Sequence, residues 1–324
     1  MNSKFSTMAV IMQVVLLLTA ILAGRWIWLL LPESKIVALL IPIGHMLVPA
    51  VFLLGGIAIM LIANRKSLPS LSESLMTWLT DLIATWRVGL WLLPFRWNQI
   101  KNSQIPEEKS PVIFVHGFFC NRGMWNPWLQ QLQRQKVPVI AVNLQPIFGS
   151  LDRYVGTLEA AVKQAESLSS SKPVFVCHSM GGLAVRRWLV SNPSARSRIA
   201  RIVTIATPHH GTWLGKLAAF VNGRQMGIQS RWLNELKKSE ESLRPENTYE
   251  GFVCWHSNSD NVVMPAWSAT LPGADNRQIR GIGHLAIAYH PELMKAEIDE
   301  MTSTGERAST SEKVCTSDIA STRQ

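Results

Sequence analysis

The stretch Pro173 to Ala184 constrains this chain more than any other. An apolar, β-branched run from Val174 to Cys177 ends at His178. Ser179 and Met180 follow, then two glycines, then Leu183, Val185, Trp188 and Leu189 at helical spacing. The pattern predicts a strand, a tight turn and a helix, with Ser179 at the apex. A strained turn of this kind lifts a serine hydroxyl clear of the sheet and aims it at a carbonyl. Gly181 and Gly182 have no β-carbon, so the helix can pack closely behind the turn. Cys177 occupies the place of the first glycine in a G-x-S-x-G pattern. The alternative is a buried strand-turn-helix whose serine is idle.

A serine alone is a weak nucleophile, so a base and an orienting acid are required. Gly281-Ile282-Gly283-His284-Leu285 sets a histidine between glycines just after a strand-like run. Asp260, in Asn258-Ser259-Asp260-Asn261-Val262-Val263, follows the apolar run Phe252–Trp255. The chain order Ser179, Asp260, His284 is the order α/β-hydrolases use. Asp275 is the rival acid, in a Pro272-Gly273-Ala274 turn, and His178, His209, His210, His256 and His290 are rival bases. An oxyanion would need backbone N–H donors. Val115-His116-Gly117-Phe118 ends a strand and offers the Phe118 amide. Met180 offers a second amide at the positive end of the following helix.

The first hundred residues have a different texture. Met8 to Leu31 is apolar apart from Gln13 and Arg25, and after a polar break at Pro32–Lys35 a second apolar run extends from Ile36 to Ala63. Each is long enough to cross a bilayer, which predicts a two-helix transmembrane hairpin over residues 1–67. A cleaved signal peptide is the rival for the first run, but no small-residue cleavage site follows it. Lys4, Arg65 and Lys66 flank the hairpin's open end. They favour both termini, and the domain that follows, on the cytoplasmic side of a bacterial inner membrane. In the 68–110 segment, Leu71, Leu75, Trp78, Leu79, Leu82, Ile83 and Trp86 recur at helical steps. That spacing predicts an amphipathic helix lying in the membrane surface, or one packed on the catalytic domain, followed by a linker.

From Pro111 to Met301, apolar strands alternate with helical or loop segments, which predicts a parallel sheet covered by helices on both faces. The strands are expected at Val112–Val115, Val137–Val142, Val174–Cys177, Ile199–Ile205, Phe252–Trp255 and Gln278–Ile282. The aromatic and aliphatic stretch 212–250 reads as a lid insert or as core packing, and 302–324 as a disordered tail.

The motifs Phe114-Val115-His116-Gly117-Phe118, His178-Ser179-Met180-Gly181-Gly182, Thr207-Pro208-His209-His210-Gly211-Thr212, Asp260-Asn261-Val262-Val263 and Gly283-His284-Leu285 resemble the lipase/esterase branch of the α/β-hydrolase superfamily. The resemblance covers Pro111 to Met301. It implies an α/β fold with a reduced, mainly parallel sheet, a Ser179–His284–Asp260 triad, and an oxyanion hole at Phe118 and Met180. Some members bind calcium, but no acidic cluster supports carrying that over, so no metal or cofactor is expected.

The net charge is +10, and with apolar runs present and no nucleic-acid motif, anionic lipid is the better partner. Cys120, Cys177, Cys254 and Cys315 show no metal spacing and predict free thiols in a reducing compartment. The expected activity is cleavage of carboxylic esters of lipophilic acyl substrates. A thioesterase or acyltransferase on the same triad, and an inactive membrane-anchored scaffold, are the alternatives.

Overall fold

The computed structural model describes residues 6–30, 35–64, 68–192, 194–246 and 248–303. Within them six strands form one all-parallel sheet in the order β2-β1-β3-β4-β5-β6. They are β1 (Val112–Val115), β2 (Val139–Ala141), β3 (Val174–His178), β4 (Arg201–Ile205), β5 (Phe252–Ser257) and β6 (Asp275–Ile279). All residues of β1, β3 and β5 are buried, as strands covered on both faces must be. The last strand lies earlier than the apolar pattern suggests. Asp275, the rival acid, opens β6 at the sheet edge and pairs with Arg277 at 2.6 Å. An edge strand needs less apolar character, which is why its polar half escapes a search for buried strands.

The helices, in chain order, are α1 (Thr7–Leu30), α2 (Lys35–Ala63), α3 (Leu71–Arg87), α4 (Asn126–Arg134), α5 (Val155–Leu168), α6 (Met180–Ser191), α7 (Arg231–Leu243) and α8 (291–303). One face of the sheet packs Phe114 against Trp125 and Trp128, with α4, α8 and the end of α3. The other packs Phe175 against Trp188, with α5 and α6. Helix α8 extends to 303, past the expected start of the tail, and the remainder of the tail lies outside the described residues.

Among the described residues one helix, Thr7–Leu29, is long and apolar enough to cross a membrane, and α2 contributes a shorter apolar stretch, Pro49–Ala63. By length and composition the first suits an anchor or a signal sequence equally. Of the polar break expected at Pro32–Lys35, residues 32–34 lie outside the described residues and Lys35 opens α2. Both helices are seated on the domain at their open ends. Ser6 Oγ accepts from Asn121 Nδ2 at 3.1 Å, Gln13 Nε2 donates to the Pro94 carbonyl at 2.6 Å, and Asn64 Oδ1 accepts from the Ala266 N–H at 3.0 Å. Their outward faces leave Val15, Leu17, Trp28, Val51 and Phe52 exposed.

Helix α3 reverses the orientation expected of a soluble amphipathic helix. Its polar stripe Ser74, Thr77 and Asp81 is buried against the domain, while Leu71, Leu75, Met76, Leu79 and Ile83 face outward. A membrane-surface helix would show that polar stripe to water; here the domain's loops take water's place. A Ser70–Glu73 capping box starts the helix, and the Trp78 indole N–H, which donates to the Ala50 carbonyl at 3.0 Å, ties it to α2.

The stretch 212–250 divides in two. The short helix Val221–Gln225 meets the serine turn where Asn222 Nδ2 donates to Met180 Sδ, a second short helix at Trp213–Lys216 packs on it, and α7 is docked on α6 through a buried ion pair. Arg186 meets Glu240 with two bonds of 2.8 and 2.7 Å, and Tyr249 Oη donates to the same carboxylate at 2.9 Å. Glu240→Ala would leave a buried guanidinium without its counter-charge, a cost of about 3–5 kcal/mol. For a domain of this size that is about 10 °C in thermal midpoint, readable by circular dichroism of the detergent-solubilised protein. An unchanged midpoint would show that the pair contributes nothing net to α7 docking.

Candidate active site

Ser179 sits between β3 and α6 with φ 52° and ψ −123°, a conformation that costs an L-residue energy and that the surrounding packing enforces. Its N–H donates to the Ile205 carbonyl at 2.8 Å, which holds the turn against β4. Gly181 is required behind it, because a β-carbon there would lie 2.5 Å from the Val115 carbonyl oxygen. Cys177, the residue in the first-glycine position, is fully buried in β3 and packs in the core. Burial pushes its thiol well above the ordinary value, so it is inert.

The structure brings Ser179, His284 and Asp260 together. Ser179 Oγ is 3.0 Å from His284 Nε2, and His284 Nδ1 is 3.0 Å from Asp260 Oδ2. Asp260 lies in the loop after β5 and His284 in the loop after β6, both at the carboxyl edge of the sheet, on the side of β3 that carries β4, β5 and β6. The other carboxylate oxygen of Asp260 accepts the N–H groups of Val262 and Val263 at 2.8 and 2.7 Å. A carboxylate held this way takes the Nδ1 proton of His284 as a hydrogen bond and leaves Nε2 to accept from Ser179. Burial alone would push the His284 imidazole down. The charge and hydrogen bond of Asp260, joined by the charge of Asp81, instead hold it above its ordinary value.

Of the rival histidines, His178 and His209 have other partners. His178 lies under the turn, its Nε2 bonded to the His284 carbonyl at 2.9 Å, and burial together with the neighbouring His284 lowers it to about 3. His209 is buried beside Thr204 and Arg186. His116 accepts the Leu144 N–H at Nε2 (3.0 Å), so its Nδ1–H donates to the Gly117 carbonyl at 2.8 Å and braces the loop before Phe118. Among the described residues, neither the Phe118 nor the Met180 N–H donates to another acceptor. Met180 is the first residue of α6, where no acceptor exists within the helix.

Beside these amides stands an aromatic group that residue spacing did not reveal. Phe148 and Phe220 stack at 4.1 Å, and Phe118 and Phe119 meet edge to face at 4.7 Å. Phe119 and Phe220 are exposed. These rings come from three separate segments, so only the fold assembles them. Asp81 is the second feature missed. Its sequence signal is a polar stripe, Ser74-Thr77-Asp81, on an amphipathic helix.

A family model described as the alpha/beta hydrolase family matches residues 112–297. The chain belongs to the alpha/beta hydrolase family. No curated protein matches it in sequence. The mature form of Bacillus licheniformis lipase BlEst2 is similar in structure, with a TM-score of 0.52 and 16% identity over 62% of this chain and 95% of that one. Aspergillus fumigatus lipase B has a TM-score of 0.50 and 20% identity over 61% of this chain, which spans 55% of that larger protein. At these identities the likeness is one of fold. The α/β-hydrolase match leaves out α1, α2 and α3, so these helices, with Asp81 on the last of them, lie outside the region the family model covers.

Proposed function

We propose that the protein is a membrane-anchored serine hydrolase that cleaves carboxylic esters of lipophilic acyl substrates. The observation that carries this reading is the hydrogen-bonded series Ser179–His284–Asp260 on a strained strand-to-helix turn. In the proposed mechanism His284 Nε2 takes the Ser179 proton as Oγ attacks the ester carbonyl, and Asp260 steadies the imidazolium that forms. The Phe118 and Met180 amides stabilise the oxyanion. Collapse of the tetrahedral intermediate expels the alcohol, protonated by His284. Water activated by the same histidine then hydrolyses the acyl-enzyme.

Two features favour a lipophilic acyl group. Phe118, Phe119, Phe148 and Phe220 place an apolar wall beside the amides. The outward apolar faces of α1, α2 and α3 adjoin the loops that carry Asp260 and Asn121, and a surface of that extent calls for lipid contact. The two structural neighbours above are lipases, which agrees with this substrate class.

Labelling with a fluorophosphonate probe tests the reading, followed by turnover of esters of increasing acyl length. Labelling is expected in the wild type, with turnover favouring long acyl chains. Absence of labelling in folded protein, with and without detergent, would move an inactive scaffold to the front. Preference for thioesters, or transfer to an added alcohol, would make the enzyme a thioesterase or an acyltransferase.

A further inference from the structure

We infer that Asp81, on α3 and outside the region the family model covers, is a positioning residue for His284, so that the helix linking the hairpin to the domain completes the active site. The inference rests on the hydrolase reading above. Asp81 Oδ1 accepts the N–H groups of Leu285 and Ala286 at 2.7 and 2.9 Å. Asp81 Oδ2 accepts from Asn261 Nδ2 at 3.0 Å, and Asn261 Oδ1 accepts the His284 N–H at 3.0 Å. Three successive backbone N–H groups, 284 to 286, are thus held by one Asp81–Asn261 unit, and Asn261 itself follows Asp260. The base loop and the acid loop are joined through a side chain that neither contains.

The close fit supports a positional role. Asp81 is 2% exposed, and a β-carbon at Gly283 would lie 2.4 Å from its Cβ and Cγ. Glycine beside the histidine therefore serves the approach of α3. The same helix reaches the acid loop a second time, where Thr77 Oγ1 donates to Ser259 Oγ at 2.7 Å, next to Asp260. It reaches the base loop again where the Glu73 carboxylate accepts from Arg280 Nε at 2.8 Å. The charged and titratable groups around His284 are Asp260 from the loop after β5, Asp81 from α3, and His178 from β3. Burial raises the Asp81 carboxyl, yet all three of its bonds come from N–H donors, which favour the carboxylate.

The decisive experiment compares Asp81→Asn with the exchanged pair Asp81→Asn/Asn261→Asp. In the single variant an amide NH2 at position 81 faces the Asn261 NH2, so Asn261 must turn and release the His284 N–H. In the exchanged pair each donor again meets an acceptor. The single variant is expected to lose about 10²-fold in kcat with KM nearly unchanged, as a small misplacement of the base would cause. The acid limb of its kcat/KM profile should move to lower pH, because an anion that favours the His284 imidazolium has gone. The exchanged pair should recover most of the kcat and return the acid limb.

Wild-type kcat and an unmoved acid limb in folded Asp81→Asn would overturn the inference. So would a loss that the exchange does not repair in folded protein. If the single variant does not fold, the exchanged pair decides: folded and active supports the inference, folded and inactive overturns it. Fluorophosphonate labelling separates the two levels. An unlabelled wild type ends the hydrolase reading, whereas labelling of Asp81→Asn at the wild-type rate ends only the role of Asp81.

Discussion

Replacing Ser179 with alanine is expected to lower kcat by about 10⁶-fold, the scale on which removing a serine nucleophile disables a triad. The argument is local. Ser179 Oγ is the group bonded to His284 Nε2 at 3.0 Å, and it is carried on a strained turn at φ 52°. Alanine tolerates that backbone no worse than serine, and Ser179 makes no side-chain cap to α6, so folding should be unaffected. Turnover of the preferred ester by purified protein, with circular dichroism as the fold control, measures this. Activity that survives the substitution would place the nucleophile elsewhere and remove the basis of the proposed function.

The second large effect concerns Asp260. Asp260→Asn is expected to reduce kcat by about 10⁴-fold while leaving the thermal midpoint close to wild type. The reason lies in the Val262 and Val263 N–H groups, which both donate to Oδ1. An amide at this position must keep its oxygen toward them, so its NH2 faces His284 Nδ1. That nitrogen then has to accept, and the imidazole proton moves to Nε2, opposite the Ser179 hydroxyl. The base is left in the tautomer that cannot take a proton from serine. Steady-state kinetics of the purified variant decide the matter. A loss under tenfold would mean that the orientation of His284 depends chiefly on other contacts.

Those contacts bear on how the proposed site relates to the exposed apolar surface. The exposed apolar residues of α3 point away from the domain, and its buried polar stripe holds the loops of Asp260 and His284. One helix therefore joins the surface suited to lipid and the residues proposed for chemistry. Helices α1 and α2 are seated beside the site, α1 through Asn121 in the loop after β1 and α2 through Ala266 beyond Asp260.

The chain alone disclosed those features that depend on neighbours in sequence. Buried parallel strands announce themselves as short apolar runs, the serine turn by its glycines, and the order Ser179, Asp260, His284 by strand ends. The α/β-hydrolase family follows from these. The sheet-edge strand β6 was displaced toward its polar half, because an edge position relaxes the demand for apolar residues. The periodicity of α3 showed an apolar and a polar face without showing which one meets protein. Both faces need a partner, and only packing shows that the domain's loops take the polar one. The contacts of Asp81, the tautomer of His116 and the grouping of Phe118, Phe119, Phe148 and Phe220 are likewise tertiary facts. Each joins residues tens to hundreds of positions apart, and no local pattern records a contact whose partner is set by the folding of the whole chain.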